Sequence, residues 1–155
     1  HGWKHKLCLT FFTFIIILIS SALPSMKPYL DDRGFSLHDI FDALPGQINY
    51  STLNPGVVKA WHRHKHQTDY FCVLMGNARV ALYDEKTGKT ETHFIGELNP
   101  KVLKIPPGIW HGYTPVGDKP CGLLYYMDRK YDPQNPDEER APWNSFGYNW
   151  DVENR

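Results

Sequence analysis

The chain has 155 residues, and 17 Lys plus Arg balance 17 Asp plus Glu, so the formal net charge is zero. This length suits one domain with its own core, and the lack of a basic excess argues against a nucleic-acid-binding protein. Trp, Tyr and Phe make up 14% of the residues, and Gly and Pro each occur 12 times. This composition favours strands and tight turns over a helix bundle.

The first 25 residues differ from the rest of the chain. They begin with basic side chains and continue into an apolar run from Leu7 to Ile19, a pattern typical of a secretory signal. The run is short for a transmembrane helix, and a β-strand or an artefactual leader before Met26 are the alternatives. We therefore separate residues 1–25 from residues 26–155, which we predict to form a single domain.

The first element predicted after Met26 is a short helix over 36–46, "SLHDIFDALPG", capped by Ser36 and ended by Pro45-Gly46. Seven strand-like segments follow, separated by turn residues. They are QINYSTL (47–53), GVVKAWHRH (56–64), DYFCVLM (69–75), ARVALYD (78–84), TETHFIG (90–96), KVLKI (101–105) and GLLYYMD (122–128). Short strands at this spacing predict an all-β sandwich or barrel. The Pro-, Asn- and charge-rich residues 129–155 are predicted to form an irregular tail.

Three histidines alternate along the second of these strands. Side chains on a strand point to opposite faces in turn, so His62, His64 and His66 share one face if the strand extends that far. Three imidazoles on one face predict a polar pocket inside the barrel, with His66 expected at its rim.

The spacing around these histidines resembles the two motifs of the cupin family. The first motif matches Gly56, His62, His64, Asp69 and Gly76, and part of the second matches Pro106, Gly108 and His111. The resemblance implies a jelly-roll barrel with its site in the mouth. It leaves open one divalent transition metal held by His62, His64, Asp69 and His111, because imidazole and carboxylate ligands suit several such metals. A sugar isomerase or an oxygenase would then be expected.

A closer resemblance is to the dTDP-4-dehydrorhamnose 3,5-epimerases. Five segments occur in the same order as in that family, from about Asp31 to Trp150: DDRGFSL, QINYSTLNPGVVKAWH, IPPGIWHGY, LLYY and ERAPWNSFGYNW. The resemblance implies an isomerase of a nucleotide-linked 4-keto-6-deoxy sugar that needs no cofactor. It also implies a cytoplasmic homodimer whose subunits exchange N-terminal strands.

This resemblance assigns roles to individual residues. It implies that His62 is the general base, that Tyr125 is the general acid, with Tyr126 one register away, and that His111 is a second active-site histidine. Substrate-binding positions fall on Arg33, Gln47 and Lys59, with Asn49 in the same strand as Gln47, and Trp143 is a candidate to stack on the nucleotide base. The family has a lysine where Asp69 stands in this chain.

The expected chemistry is proton transfer beside a ketone. A histidine titrates near neutral pH and can remove the proton, and a tyrosine on the opposite face can return one, which inverts the carbon. A non-catalytic carbohydrate- or nucleotide-binding cupin remains a third interpretation of the same residues.

Overall fold

The computed structural model describes residues 29–38 and 45–151, so the predicted leader over 1–25 lies outside the described residues and the boundary at residue 26 stays a prediction. Apart from one short 3₁₀ turn at Ser145–Gly147, the regular secondary structure of the described residues consists of strands. They are β1 (Tyr29–Asp31), β2 (Gly34–Leu37), β3 (Gln47–Leu53), β4 (Lys59–Arg63), β5 (Asp69–Met75), β6 (Asn77–Asp84), β7 (Lys89–Gly96), β8 (Val102–Ile105), β9 (Trp110–Pro115), β10 (Cys121–Met127) and β11 (Glu139–Arg140).

The strands form two antiparallel sheets. The six-stranded sheet has the order β1-β2-β3-β10-β5-β8, and the five-stranded sheet has the order β11-β4-β9-β6-β7. Within β3 to β10, the first strand pairs with the eighth, the second with the seventh, the third with the sixth and the fourth with the fifth. This is the strand order of an eight-stranded jelly roll. The predicted all-β jelly roll is therefore confirmed.

The side chains that point between the two sheets change character along the strands. In β3 the inward positions run from Gln47 and Asn49 to Leu53, and in β5 they run from Asp69 to Val73. The apolar ends meet in a buried core that includes Leu53, Phe71, Val80, Ile105 and Leu123. One end of the barrel is thus closed by packing, whereas the other end presents buried polar groups.

Two of the predicted element assignments need correction. Ser36 does not cap a helix, because it lies in β2 and pairs with Ser51 of β3; the remainder of the predicted helix falls largely on 39–44, outside the described residues. The histidine strand is shorter than predicted, Lys59–Arg63, so His64 follows its end. The structure also contains strand β9, which the sequence analysis does not predict because the turn residues Pro106 to Gly108 directly precede it.

The predicted irregular tail packs against the outer face of the five-stranded sheet. Trp61 is 1% exposed and contacts the rings of Phe146, Tyr148 and Trp150. The indole N–H groups of Trp61 and Trp150 both donate to the carbonyl oxygen of Trp143 at 3.0 Å. Residues 141–151 therefore form a third layer held by aromatic packing.

In the part of the chain that the structure describes, no helix has the length and apolar character needed to cross a membrane.

This layer predicts a large stability effect at Trp61. We expect Trp61→Ala to lower the free energy of unfolding by ~3–5 kcal/mol, because it removes a buried aromatic side chain and leaves a cavity. Trp143→Ala is the matched control: its ring is 57% exposed and its contribution to the layer is through the backbone carbonyl, so a loss of about 0.5 kcal/mol is expected. Urea denaturation measures both, and similar losses would contradict the proposed third layer.

Candidate functional site

The polar end of the barrel opens into a cavity of about 850 Å³. This volume suits a small-molecule ligand. Both sheets contribute to its lining, as do residues of the tail between β10 and β11. The predicted residues His62, His64, Asp69, Tyr125, Arg33, Gln47, Asn49 and Lys59 all line this cavity.

Three histidines cluster on the five-stranded sheet. The pairing of β4 with β9 sets His62 opposite His111, and their ring centroids lie 4.0 Å apart. His64 follows the end of β4, with ring centroids 5.5 Å from His62 and 5.8 Å from His111. The prediction that His62 and His111 meet inside the barrel agrees with this geometry.

Backbone carbonyls hold one ring nitrogen of two of these histidines. Nδ1 of His111 lies 3.0 Å from the carbonyl oxygen of Ile109, and Nδ1 of His64 bonds the carbonyl oxygen of Asp137. Because a carbonyl oxygen only accepts, each Nδ1 carries a proton. Each Nε2 faces the interior, where it lies beside a carboxylate.

This carboxylate belongs to Asp69, which is 2% exposed. Its Oδ2 lies 3.3 Å from Nε2 of His64 and 3.2 Å from Nε2 of His111. The second contact is close enough for an ion pair but is not aligned as a hydrogen bond, so the buried Nε2 of His111 has no hydrogen-bond partner among the described residues. Gln67 donates to Oδ1 at 2.6 Å and fixes the carboxylate.

The members of the cluster differ in the direction of their pKa shifts and in their charge. Burial, with smaller contributions from His111 and His64, holds the pKa of His62 well below its usual value, so its imidazole is neutral at neutral pH. Burial alone would lower the pKa of His64, but the bond to Asp69 outweighs it and raises that pKa. Burial would raise the pKa of Asp69, yet the contacts from His111 and His64 outweigh it and lower that pKa. The carboxylate is therefore ionised beside a neutral His62.

A phenol faces this cluster from the opposite sheet. Tyr125 lies on β10, and the ring of Phe71 contacts both groups, with ring centroids 6.0 Å from Tyr125 and 5.5 Å from His111. Burial raises the pKa of Tyr125 despite opposing contacts from Ser51 and Asn49, so the phenol keeps its proton. Tyr126 points outward, and its hydroxyl donates to the carbonyl oxygen of Pro45 at 2.7 Å.

The residues expected to bind substrate are not equally available. The Arg33 guanidinium is engaged by the Asp31 carboxylate through two bonds from Nε and one shorter bond from Nη2. Gln47 donates to Asn49 at 2.9 Å and accepts from the backbone N–H of Tyr131 at 3.0 Å. Lys59 lines the cavity, where burial lowers its pKa.

Trp143 is the one expected binding residue that does not line the cavity. Its ring is more than half exposed on the tail, and its carbonyl oxygen anchors two indoles. The structure therefore does not bring it to a position where it would stack on a ligand in this cavity. The sequence pattern missed Asp137, Glu138 and Arg140, which line the cavity from the tail. The Pro-Asp dipeptide at 136–137 indicates a turn, but nothing in its spacing points to the histidines.

Comparisons with known proteins agree with this fold and show the family of the chain. The family model described as the polysaccharide biosynthesis C-terminal domain matches residues 29–139. The chain is 40% identical over 142 residues to the spore coat polysaccharide biosynthesis protein SpsL of Bacillus subtilis, covering 84% of this chain and 94% of that protein. It is 39% identical over 123 residues to the probable low-salt glycan biosynthesis epimerase Agl13 of Haloferax volcanii, covering 74% and 79%.

A solved structure extends the likeness to the whole jelly roll. The dTDP sugar isomerase of Desulfovibrio desulfuricans G20 superposes with a TM-score of 0.63 and 29% identity, covering 81% of this chain and 87% of that one. The predicted resemblance to cupin sugar-nucleotide epimerases is thereby confirmed. Because the family model spans most of the chain and the SpsL relative matches nearly its full length, this protein belongs to the polysaccharide biosynthesis C-terminal domain family.

Proposed function

We propose that this protein is an isomerase that epimerises a nucleotide-linked 4-keto-6-deoxy sugar beside its ketone. The observation that carries the proposal is the placement of a neutral imidazole, His62, and a protonated phenol, Tyr125, on opposite sheets of one cavity. The printed names of an epimerase relative and of a sugar isomerase of similar fold support the same reaction class. A cytoplasmic location, which the family resemblance implies, forms part of this proposal.

The proposed reaction moves two protons on opposite faces of the sugar. His62 accepts the proton from the carbon beside the ketone, and the electron pair of the broken C–H bond moves to the ketone oxygen as an enolate. Tyr125 then donates its phenol proton to the other face of that carbon, which inverts it. Exchange of both groups with solvent restores the starting protonation. The low pKa of His62 leaves its imidazole neutral at neutral pH and the high pKa of Tyr125 keeps its phenol protonated, which are the starting states that an acceptor and a donor need.

The charges around the cavity suit the rest of the substrate. Lys59 is a half-buried cation near His62, and it can approach either the enolate oxygen or a phosphate. Arg33 binds a diphosphate only if its guanidinium leaves or shares the Asp31 carboxylate. Lys59 is therefore the stronger candidate for the first charged contact with the substrate.

Solvent exchange tests the proton transfer directly. In deuterated water, we expect the protein to catalyse incorporation of deuterium into dTDP-4-keto-6-deoxyglucose at the carbon beside its ketone. NMR of the sugar measures the rate of this exchange. His62→Ala removes the proton acceptor and should slow exchange roughly 10²–10⁴-fold.

His66→Ala is the control for this experiment. His66 is exposed at the rim of the cavity and should leave the exchange rate nearly unchanged. Absence of exchange in the unaltered protein with this substrate would overturn epimerisation of it, and equal rates in both variants would overturn the role of His62.

We propose as a second candidate that the same cluster holds one divalent transition metal. His62, His64, Asp69 and His111 offer ligand atoms that all lie within 4.8 Å of one another. The specific support is the orientation of His64 and His111: each is held through Nδ1 and directs Nε2 at the Asp69 carboxylate. A carbonyl bond on the far nitrogen is the usual partner of a metal-bound imidazole.

These residues would hold the metal as two or three imidazoles and one carboxylate, a set that suits Fe, Mn, Ni, Cu or Zn. A bound cation would supply Lewis-acid stabilisation of the ketone oxygen. The role of the chain's own residues would change little. Asp69 and His64 would bind the cation as carboxylate and neutral imidazole, and Tyr125 would still face the sugar.

Metal analysis distinguishes the two schemes. If the second is right, the purified protein contains close to one transition metal per chain by mass spectrometry, and the His64→Ala, Asp69→Asn double variant loses it. His93→Ala is the control, because His93 lies on β7 and pairs with Glu91, away from the cluster. Exchange activity that persists in metal-free protein would support the cofactor-free scheme, and metal retained by the double variant would exclude this site.

We propose, finally, that two copies of the chain pair through the outer face of the six-stranded sheet. Its outward positions hold apolar and aromatic side chains in adjacent strands, including Ile48, Tyr50, Tyr70, Leu74, Leu124 and Tyr126. An uncovered apolar sheet face of this kind is typical of an interface. A two-fold axis would place the same face on both partners.

The oligomeric state tests this pairing. Leu74 is 57% exposed on this face, so Leu74→Lys adds a charge without disturbing the core and should shift the mass in light scattering toward the monomer. Leu98→Lys, at an 89% exposed position after β7, is the control and should leave the mass unchanged. A monomeric unaltered protein, or a dimer indifferent to Leu74→Lys, would contradict the proposed face.

A further inference from the structure

The loop that follows the histidine strand is held by one residue of the tail. Residues 64–68 connect β4 to β5, and they include His64, one member of the histidine cluster. Asp137 precedes β11 and lies against this loop, although more than 70 residues separate the two along the chain. Its carboxylate and its backbone carbonyl both take part in the contact.

The carboxylate accepts three consecutive backbone N–H groups. They are those of Lys65 at 2.9 Å, His66 at 2.9 Å and Gln67 at 3.0 Å. Hydrogen bonds to an ionised acceptor are roughly twice as strong as neutral ones. Burial would raise the pKa of Asp137, but these three bonds outweigh it and lower that pKa, so the side chain is an anion over the usual pH range. The loop backbone is therefore wrapped around one charge.

The carbonyl oxygen of the same residue reaches the histidine itself. It accepts the Nδ1 proton of His64, which directs Nε2 toward Asp69. Gln67, the last residue of the anchored loop, donates to the other oxygen of Asp69. Asp137 thus orients both the ring of His64 and, through the loop, the residue that fixes the Asp69 carboxylate.

We propose that Asp137 is a positioning residue for the histidine cluster, acting through His64 and the loop rather than on the substrate. Its effect on turnover rests on the proposed epimerase function, whereas its effect on the His64 ring does not. The contact joins the tail to the loop through the backbone carbonyl and the carboxylate of this one residue.

The closest matched control lies at the other end of the same loop. Asp128 accepts the backbone N–H of Thr68 at 2.9 Å, but none of its described bonds reaches a histidine of the cluster. Asp137→Ala and Asp128→Ala each remove a carboxylate that accepts backbone N–H groups of this connection. Only the first is expected to change the site.

The first measurement is the hydrogen bonding of His64 Nδ1 in the isolated protein, read from long-range ¹H–¹⁵N correlation spectra assigned with His64→Gln. We expect the unaltered protein and Asp128→Ala to show the same protonated, hydrogen-bonded Nδ1. Asp137→Ala releases the loop from its anchor and should shift the Nδ1 resonance, and Asp137→Asn, which keeps one acceptor oxygen, should show a smaller change. An unaltered His64 signal in Asp137→Ala, or in Asp137→Asn if the alanine variant does not fold, would overturn the proposal.

The second measurement is deuterium exchange with the nucleotide sugar. We expect Asp137→Ala to lower kcat roughly 10–100-fold, as is typical for residues that orient a functional histidine, with KM nearly constant. A rise in KM at constant kcat would instead assign Asp137 to substrate binding and overturn the positioning role. Absence of exchange in the unaltered protein would contradict the proposed epimerase function. The measurement on His64 would then still decide the role of Asp137.

Discussion

The polar end of this barrel depends on a single buried carboxylate. Asp69 is ionised, almost fully enclosed and in contact with two imidazoles and one amide. A charge in such a place is costly unless it is compensated, and the surrounding groups are arranged to compensate it. The Nδ1 atoms of His64 and His111 are bound by carbonyls, so that their other nitrogens face the carboxylate. Much of the local chain path follows from satisfying this one charge.

The cavity inverts the usual pattern of a half-buried sheet. An antiparallel sheet with one solvated face normally alternates between apolar inside and polar outside. In β3 the inside carries Gln47, Asn49 and Ser51, whereas the outside carries Ile48 and Tyr50. The inward polar groups serve the cavity, and the outward apolar groups are left to contact something other than the core. The cavity and the proposed interface are therefore two faces of the same strands.

Much of the barrel was predictable because alternation and turn residues are local signals. The strands β3, β5 and β10 were predicted within a residue of their ends, and the cupin-like spacing brought His62, His64, Asp69 and His111 together. The pairing of β4 with β9 and the choice of Tyr125 over Tyr126 depend on register, which no local pattern encodes. The tail was hardest: its Pro, Asn and charged residues indicate no element. Asp137 and the aromatic layer around Trp61 arise only from long-range contacts.

The tail contributes to both the ligand cavity and the aromatic layer behind the five-stranded sheet. Residues on one side of Ala141 line the ligand cavity, and residues on the other side seal the back of the five-stranded sheet. Ala141 itself exchanges two backbone hydrogen bonds with Trp61, one residue before His62. The aromatic packing behind the five-stranded sheet and the position of His62 in front of it thus depend on the same backbone pair. A substitution that loosens the packing around Trp61 would therefore also displace the strand that carries His62.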